Sequence, residues 1–290
     1  MLSPVTNIAG DSLNMVSVFG DDSADETKER VFAIGGVLAT EEEWTRIEEQ
    51  WAAKCEGIPF HATDCDSNRG QYAGRRHEEN KQLYKELVHL LVNSNAWGFG
   101  AALDIAGFTA WYPDVPGDLS YYKALYETIA RLAYVARDVF KDEVKFTFDS
   151  RVQSNFTAGL IYESMLNNSA GDAPQLVNKL TFASARTNAR IQVGDLYARE
   201  VMKELDNRIG PKKRPRRHSM AALVETKRFG CDLLLADYFE DMRRKTAELE
   251  TKDDEFNRRK YRAWLEASRL PDTIQNRFKF LWFVTEADAN

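Results

Sequence analysis

The apolar and polar positions of the chain alternate with two periods, and the change from one to the other marks out its elements. MVSVFG, from Met15, and RVFAIGGVL, Arg30–Leu38, are short apolar runs bounded by polar residues, which predicts two strands. The polar loop Asp21–Glu29 between them is longer than a two-residue turn, and the pair reads as an antiparallel hairpin. Thr40 then precedes EEEWTRIEEQWAAKC, with Glu43 three residues on, the spacing of a capping box. Trp44, Ile47 and Trp51 give that segment a helical apolar face. A short extended piece, IPFHATDCD, leads into a loop containing Gly70 and Gly74.

Further along, His77–Asn93 predicts a helix, Ala96–Ile105 a strand and Tyr121–Phe140 a long helix. EVKFTF predicts a strand ending at Asp149, followed by a helix over Asn155–Leu166. Leu180–Ala183 reads as a strand, and after SARTNAR the segment Ile191–Leu205 reads as a helix. Beyond Gly210 the texture changes to a basic segment rich in helix breakers, PKKRPRRHS, and then to charged helices over about Met220–Phe283. A hairpin, alternating helices and strands, and a helical tail together predict a mixed-sheet α/β domain over residues 1–209. Residues 210–290 are expected as a basic loop and C-terminal helical extension packed on it.

Composition narrows the setting. Of 290 residues 43% are hydrophobic, enough for a sizeable core, yet no run reaches the ~20 apolar residues of a membrane span. The opening MLSPVTNIAGDS lacks the basic-then-apolar order of a secretory leader. Three cysteines without a CxxC pair argue against a disulfide framework or zinc ribbon, so a reducing, cytoplasmic setting is expected. A net charge of -6 excludes coating of nucleic acid by bulk electrostatics, so nucleic-acid binding requires a local basic groove.

The candidate chemistry is acidic. Asp21 and Asp22 follow one apolar strand, Asp149 ends another, and Asp195 lies near the start of a helix. Carboxylates converging from separate elements make a hard oxygen site suited to Mg²⁺ or Mn²⁺. Such ions promote phosphodiester hydrolysis by activating water and neutralising charge. Taken singly, an Asp at a strand end also suits a turn, and an Asp near a helix start suits the dipole. DDSADE is not an EF-hand loop, because Glu26 stands where the turn glycine is needed. His61 and Asp64 in HATDCD read either as a proton shuttle or outer metal ligand at the mouth of the site, or as an ordinary polar loop. With four histidines in the chain, a zinc site there is not expected. No GxSxG elbow, HExxH or Walker A loop occurs. Gln192 and Asp195, at i and i+3, share a helical face, so Gln192 either orients a water, holds the first strand or caps neighbouring backbone. The basic supply is Arg186 and Arg190 before that helix, and Arg208, Lys212, Lys213, Arg214, Arg216 and Arg217 after it, with His218 beside them. In a nuclease these would contact phosphate.

FGDDSA with FAIGGV, HATD, FTFDSR and SARTNARIQVGDLYA occur in the order of, and resemble, the motifs of the bacterial domain-of-unknown-function family 3800. That family opens YIDESG … GGV and carries a QxxD helix. The resemblance spans about residues 15–199 and implies an RNase H-like fold, a mixed sheet led by an antiparallel hairpin with acids at one end. It implies a metal-dependent nuclease in which Asp21, Asp22, Asp149 and Asp195 ligate and Gln192 completes QxxD. The chain departs from the pattern where Asp22 replaces Glu, Ala24 replaces Gly and Gly194 replaces Ala. The competing expectation is a non-catalytic RNase H-like module that binds nucleic acid or protein.

Overall fold

The computed structural model describes residues 16–113, 120–150, 177–252, 254–269 and 271–272. The expected helix at Asn155–Leu166 and the end of the C-terminal tail lie outside these residues.

Strand β1 (Val16–Ala24) and β2 (Val31–Thr40) form the expected hairpin in unbroken antiparallel register, from Val16 opposite Thr40 to Ala24 opposite Phe32. β1 thus runs through Asp21 and Asp22 rather than ending before them, and the loop shrinks to residues 25–30. Asp25 closes that loop: its carboxylate accepts from the Arg30 and Val31 amides and from Thr27 Oγ1. Helix α1 (Glu41–Cys55) starts where Thr40 Oγ1 accepts from the Glu43 amide at 3.3 Å. The reciprocal half of the expected capping box is replaced, because the Glu43 carboxylate binds Arg46 and the Asn95 amide instead. The stretch expected to be extended instead forms a six-residue helix, α2 (Ala62–Ser67).

Helix α3 (His77–Val92), strand β3 (Trp97–Asp104), α4 (Ile105–Trp111) and α5 (Ser120–Val135) follow. A π-helical turn at Ala136–Phe140 then leads to β4 (Val144–Asp149). After β5 (Val177–Ala183) comes α6 (Ala189–Ile209), whose start is capped by Asn188 Oδ1 accepting from the Arg190 and Ile191 amides. The chain continues through α7 (His218–Glu225), β6 (Phe229–Leu234), α8 (Ala236–Lys252) and α9 (Asp254–Ser268).

The sheet order is β5-β4-β1-β2-β3-β6. β1, β2 and β3 are antiparallel neighbours, whereas β4 lies parallel to β1, β5 to β4 and β6 to β3. This six-stranded mixed sheet, opened by a hairpin and flanked by helices, is an α/β architecture consistent with an RNase H-like fold. The expected helical tail is interrupted, because FGCDLL is an edge strand of the same sheet.

Two apolar cores sandwich the sheet. On one face Val16, Val18, Ile34, Phe146 and Phe148 pack with α5 and with Phe108 and Phe239. On the other, Val31, Ala33 and Val37 pack with Trp44, Trp51, Leu87, Val193, Leu196 and Tyr197. Helix α6 lies in the second layer between the sheet and α1, α2, α3 and α7, and most of its surface is buried. Polar side chains buried this way need partners, and α6 carries Gln192, Asp195, Arg199, Glu200, Glu204 and Asp206.

Candidate active site

The site begins with two glycines. A Cβ on Gly194 would stand 2.7 Å from the Gly20 Cα, so α6 crosses β1 at backbone contact. The next residue on each side is an aspartate, Asp21 on β1 and Asp195 on α6. Close approach of the backbones therefore delivers two carboxylates to one place.

Strand alternation selects the rest. Phe19 packs into the α6 layer, so Asp21 faces α6, whereas Asp22 shares the α5 face of Val16 and Val18. In β4, Val144, Phe146 and Phe148 face α5, which turns Asp149 toward α6. Gly20 pairs with Phe148 in parallel register, so one step further Asp21 and Asp149 stand side by side on that face. Three of the four expected acids, Asp21, Asp149 and Asp195, thus converge. Asp22 starts from the opposite face of its strand by alternation, yet its charge reaches both Asp21 and Asp195 and raises both carboxyls.

The electrostatics match this placement. Asp21 is buried, and its carboxyl is held well above the ordinary range by burial, then by Asp195, Asp22 and Asp149, with the Asp22 amide opposing. Burial raises Asp195 to about 6, against the pull of His61, the Ala62 amide and Arg199. Each converging acid is steered by one backbone amide. Asp22 N donates to Asp21 Oδ1 at 2.7 Å, Ala185 N to Asp149 Oδ1 at 2.9 Å and Ala62 N to Asp195 Oδ2 at 2.7 Å. The second oxygen of each accepts no hydrogen bond among the described residues.

Only partly compensated carboxylates, each with one oxygen that no described residue engages, fit a hard divalent cation in donor type and in charge. As they stand, no three His, Cys, Asp or Glu side chains among the described residues are grouped closely enough to hold a metal ion.

His61 and Asp64 stand at the edge. His61 Nδ1 lies 3.0 Å from Asp64 Oδ2, and the ring is 49% exposed. Its position just before Ala62 keeps it within charge range of Asp195. Gln192 lies in the same stripe of α6, but its bonds go to backbone and to an indole rather than to the acids. Burial pushes the Cys55 and Cys65 thiols up to about 11 and about 12, which disfavours the nucleophilic thiolate.

The expected phosphate-binding residues divide. Arg190 pairs with Glu41 and Glu48 and lies over the Phe19 and Trp44 rings, fastening α6 to α1. Arg214 pairs with Asp206, Arg216 with Glu204, and Arg217 with Asp66 and Glu200. Arg208 joins Glu204 as well. The basic segment is thus largely laid down on α6. Arg186, Lys212 and Lys213 are exposed and make no ion pair among the described residues.

Sequence reasoning missed Asp66, Arg199, Trp51 and the backbone at Phe60, Ala62 and Ala185. Asp66 is half-buried, and although burial pushes its carboxyl up, Arg217 and Arg199 hold it low. A signal for the acid pair was present: FGD and VGD both place glycine before aspartate. No protein-family model matches the chain, and no curated protein matches it.

Proposed function

We propose that the protein is a divalent-metal-dependent nuclease that hydrolyses phosphodiester bonds of DNA or RNA. The observation that carries this reading is the convergence of Asp21, Asp149 and Asp195 on the α6 face, each with one oxygen anchored and one that no described residue engages. These three residues would hold Mg²⁺ or Mn²⁺, with Asp22 adding charge from the opposite face. The bound cation would supply water activation and neutralisation of charge at the phosphoryl group.

The chain's own groups do the rest. The three amides fix the carboxylates so that little reorganisation is left for the reaction. Asp64 engages His61 Nδ1, which leaves Nε2 as the nitrogen offered for a proton at the exposed edge. Arg186, Lys212 and Lys213 are the side chains left to contact phosphate, which gives sequence-independent affinity.

Labelled single- and double-stranded DNA and RNA, incubated with the protein and Mg²⁺ or Mn²⁺, test the reading. Cleavage should require the metal and fall by about a hundredfold or more in Asp21→Asn and in Asp195→Asn. Metal-dependent cleavage that survives both substitutions overturns it. The ion-paired state of Arg190, Arg214, Arg216 and Arg217 favours a second reading, a non-catalytic module of the same fold. Calorimetry separates the two, because that module would bind nucleic acid or protein without binding Mn²⁺.

A further inference from the structure

Gln192 touches none of the three acids, yet two short hydrogen-bonded paths run from it to two of them. Its Nε2 donates to the Ala185 carbonyl at 2.8 Å, and the Ala185 amide donates to Asp149 Oδ1 at 2.9 Å. Its Oε1 accepts from the Phe60 amide at 3.0 Å, and Ala62, two residues on, donates to Asp195 Oδ2 at 2.7 Å. Trp51 Nε1 also donates to Oε1, at 3.2 Å. Two donors on one atom and a carbonyl facing the other leave the carboxamide a single satisfying orientation. Gln192 is buried, at 6% exposure, so water does not replace these partners.

We infer that Gln192 is a positioning residue that sets Asp149 against Asp195, a role that rests on the metal-site reading above. Asp195 is fixed relative to Gln192 by the helix they share. Asp149 belongs to another element, and its carboxylate direction depends on the Ala185 peptide in the turn between β5 and α6. Gln192 grips that peptide by its carbonyl while the amide of the same residue steers Asp149. The residue that secures the peptide therefore secures the spacing between the two carboxylates. Through Phe60 it also fixes the segment that presents His61. Groups that orient ligands in this way govern metal affinity without touching metal.

The test is a double-mutant cycle read by calorimetry with Mn²⁺ alone, on the wild type, Gln192→Met, Asp149→Asn and the double variant. If Gln192 acts through Asp149, Gln192→Met weakens Mn²⁺ binding about tenfold in the wild type and by less than about threefold in the Asp149→Asn background. Equal weakening in both backgrounds marks a merely structural residue and overturns the inference, as does unchanged affinity. A wild type that binds no Mn²⁺ overturns the metal-site reading instead.

Amide hydrogen exchange in the metal-free protein gives a second decision. Gln192→Met should speed exchange at Ala185 and Phe60 and leave β2 unchanged. Gln192→Glu, whose ionised carboxylate still accepts from Phe60 and Trp51 but repels the Ala185 carbonyl, should speed exchange chiefly at Ala185. Protection of Ala185 that persists in both variants overturns the inference.

Discussion

At the scale of single residues, the acid site makes metal-free folding sensitive to pH in an unusual direction. Asp195 has an ordinary value of 3.8 that burial raises to about 6 in the folded chain. A carboxyl raised on folding binds its proton more tightly when folded. Its contribution is therefore most favourable below 3.8, falls as pH rises through the window up to about 6, and is level above that. For Asp195 the swing is on the order of 3 kcal/mol, and Asp21, also raised, acts in the same sense. Asp66, Glu204 and Asp206 are held low by basic partners and act in the opposite sense, so total stability mixes the two. The comparison that isolates the effect is the urea midpoint of the wild type against Asp195→Asn at about pH 5 and about pH 7.5, on either side of the folded value. The carboxamide of that variant has no titrating proton, so the variant should gain on the wild type as pH rises, and saturating Mn²⁺ at the higher pH should rescue the wild type alone. A difference that does not change with pH refutes the account. The acids were legible in the sequence because Asp21 and Asp149 follow apolar strand patterns and Asp195 lies near a helix start, but their facing was not. Asp22 already stood apart from Asp21 as the shorter acid where the family has Glu, and the strand that runs through both adds a difference of face by alternation.

At the scale of elements, function depends on how closely α6 lies against β1. The Gly20–Gly194 contact leaves no room for a side chain between the two backbones, so Gly194→Ala must push the helix outward. Overpacking of this kind costs about 1–3 kcal/mol, against a small gain in helix propensity from replacing glycine. The net expectation is a lower urea midpoint, together with weaker Mn²⁺ binding because Asp195 retreats from Asp21. Unchanged midpoint and affinity would mean that the contact does not set the spacing. Most elements could be read from period and caps: the hairpin, α1 behind Thr40, α3, and the β4 strand ending at Asp149. Those that could not were short or held by remote partners. α2 has six residues and is fastened by Asp195, Arg199 and Arg217, all far along the chain from it. β6 also has six residues, lies between charged helices, and has a mostly half-buried pattern typical of an edge rather than a core strand.

For the whole molecule, the segment after Gly210 is built into the sheet and onto the central helix. β6 covers the outer edge of β3 over Gly98–Leu103, and Tyr197 on α6 donates its hydroxyl to the Gly230 carbonyl at 2.6 Å. Arg216 neutralises the buried Glu204, while Arg217 reaches Asp66 and the fully buried Glu200. Glu200 also accepts from Tyr84 and Ser219. A chain ending at residue 209 would therefore lose more than an appendage. It would bare the backbone of β3 as an open edge, which invites pairing with other chains. It would also strip Arg216 from Glu204 and Arg217 and Ser219 from Glu200, leaving them Arg208 and Tyr84 as partners, a loss below the about 3–5 kcal/mol of a buried charge left with none. The two losses together reduce the ~5–15 kcal/mol that holds a typical domain folded. Residues 1–209 expressed alone should therefore aggregate or unfold without cooperativity, as judged by size-exclusion chromatography and the sharpness of thermal melting. Residues 1–209 recovered as a monomer with a cooperative transition would instead show that the sheet is self-sufficient without its sixth strand. The same ion pairs bear on activity, because basic charge spent on α6 is not offered to phosphate. High salt that weakens them should loosen the basic segment without disturbing Asp21 and Asp195, whose spacing is set by backbone contact at Gly20 and Gly194.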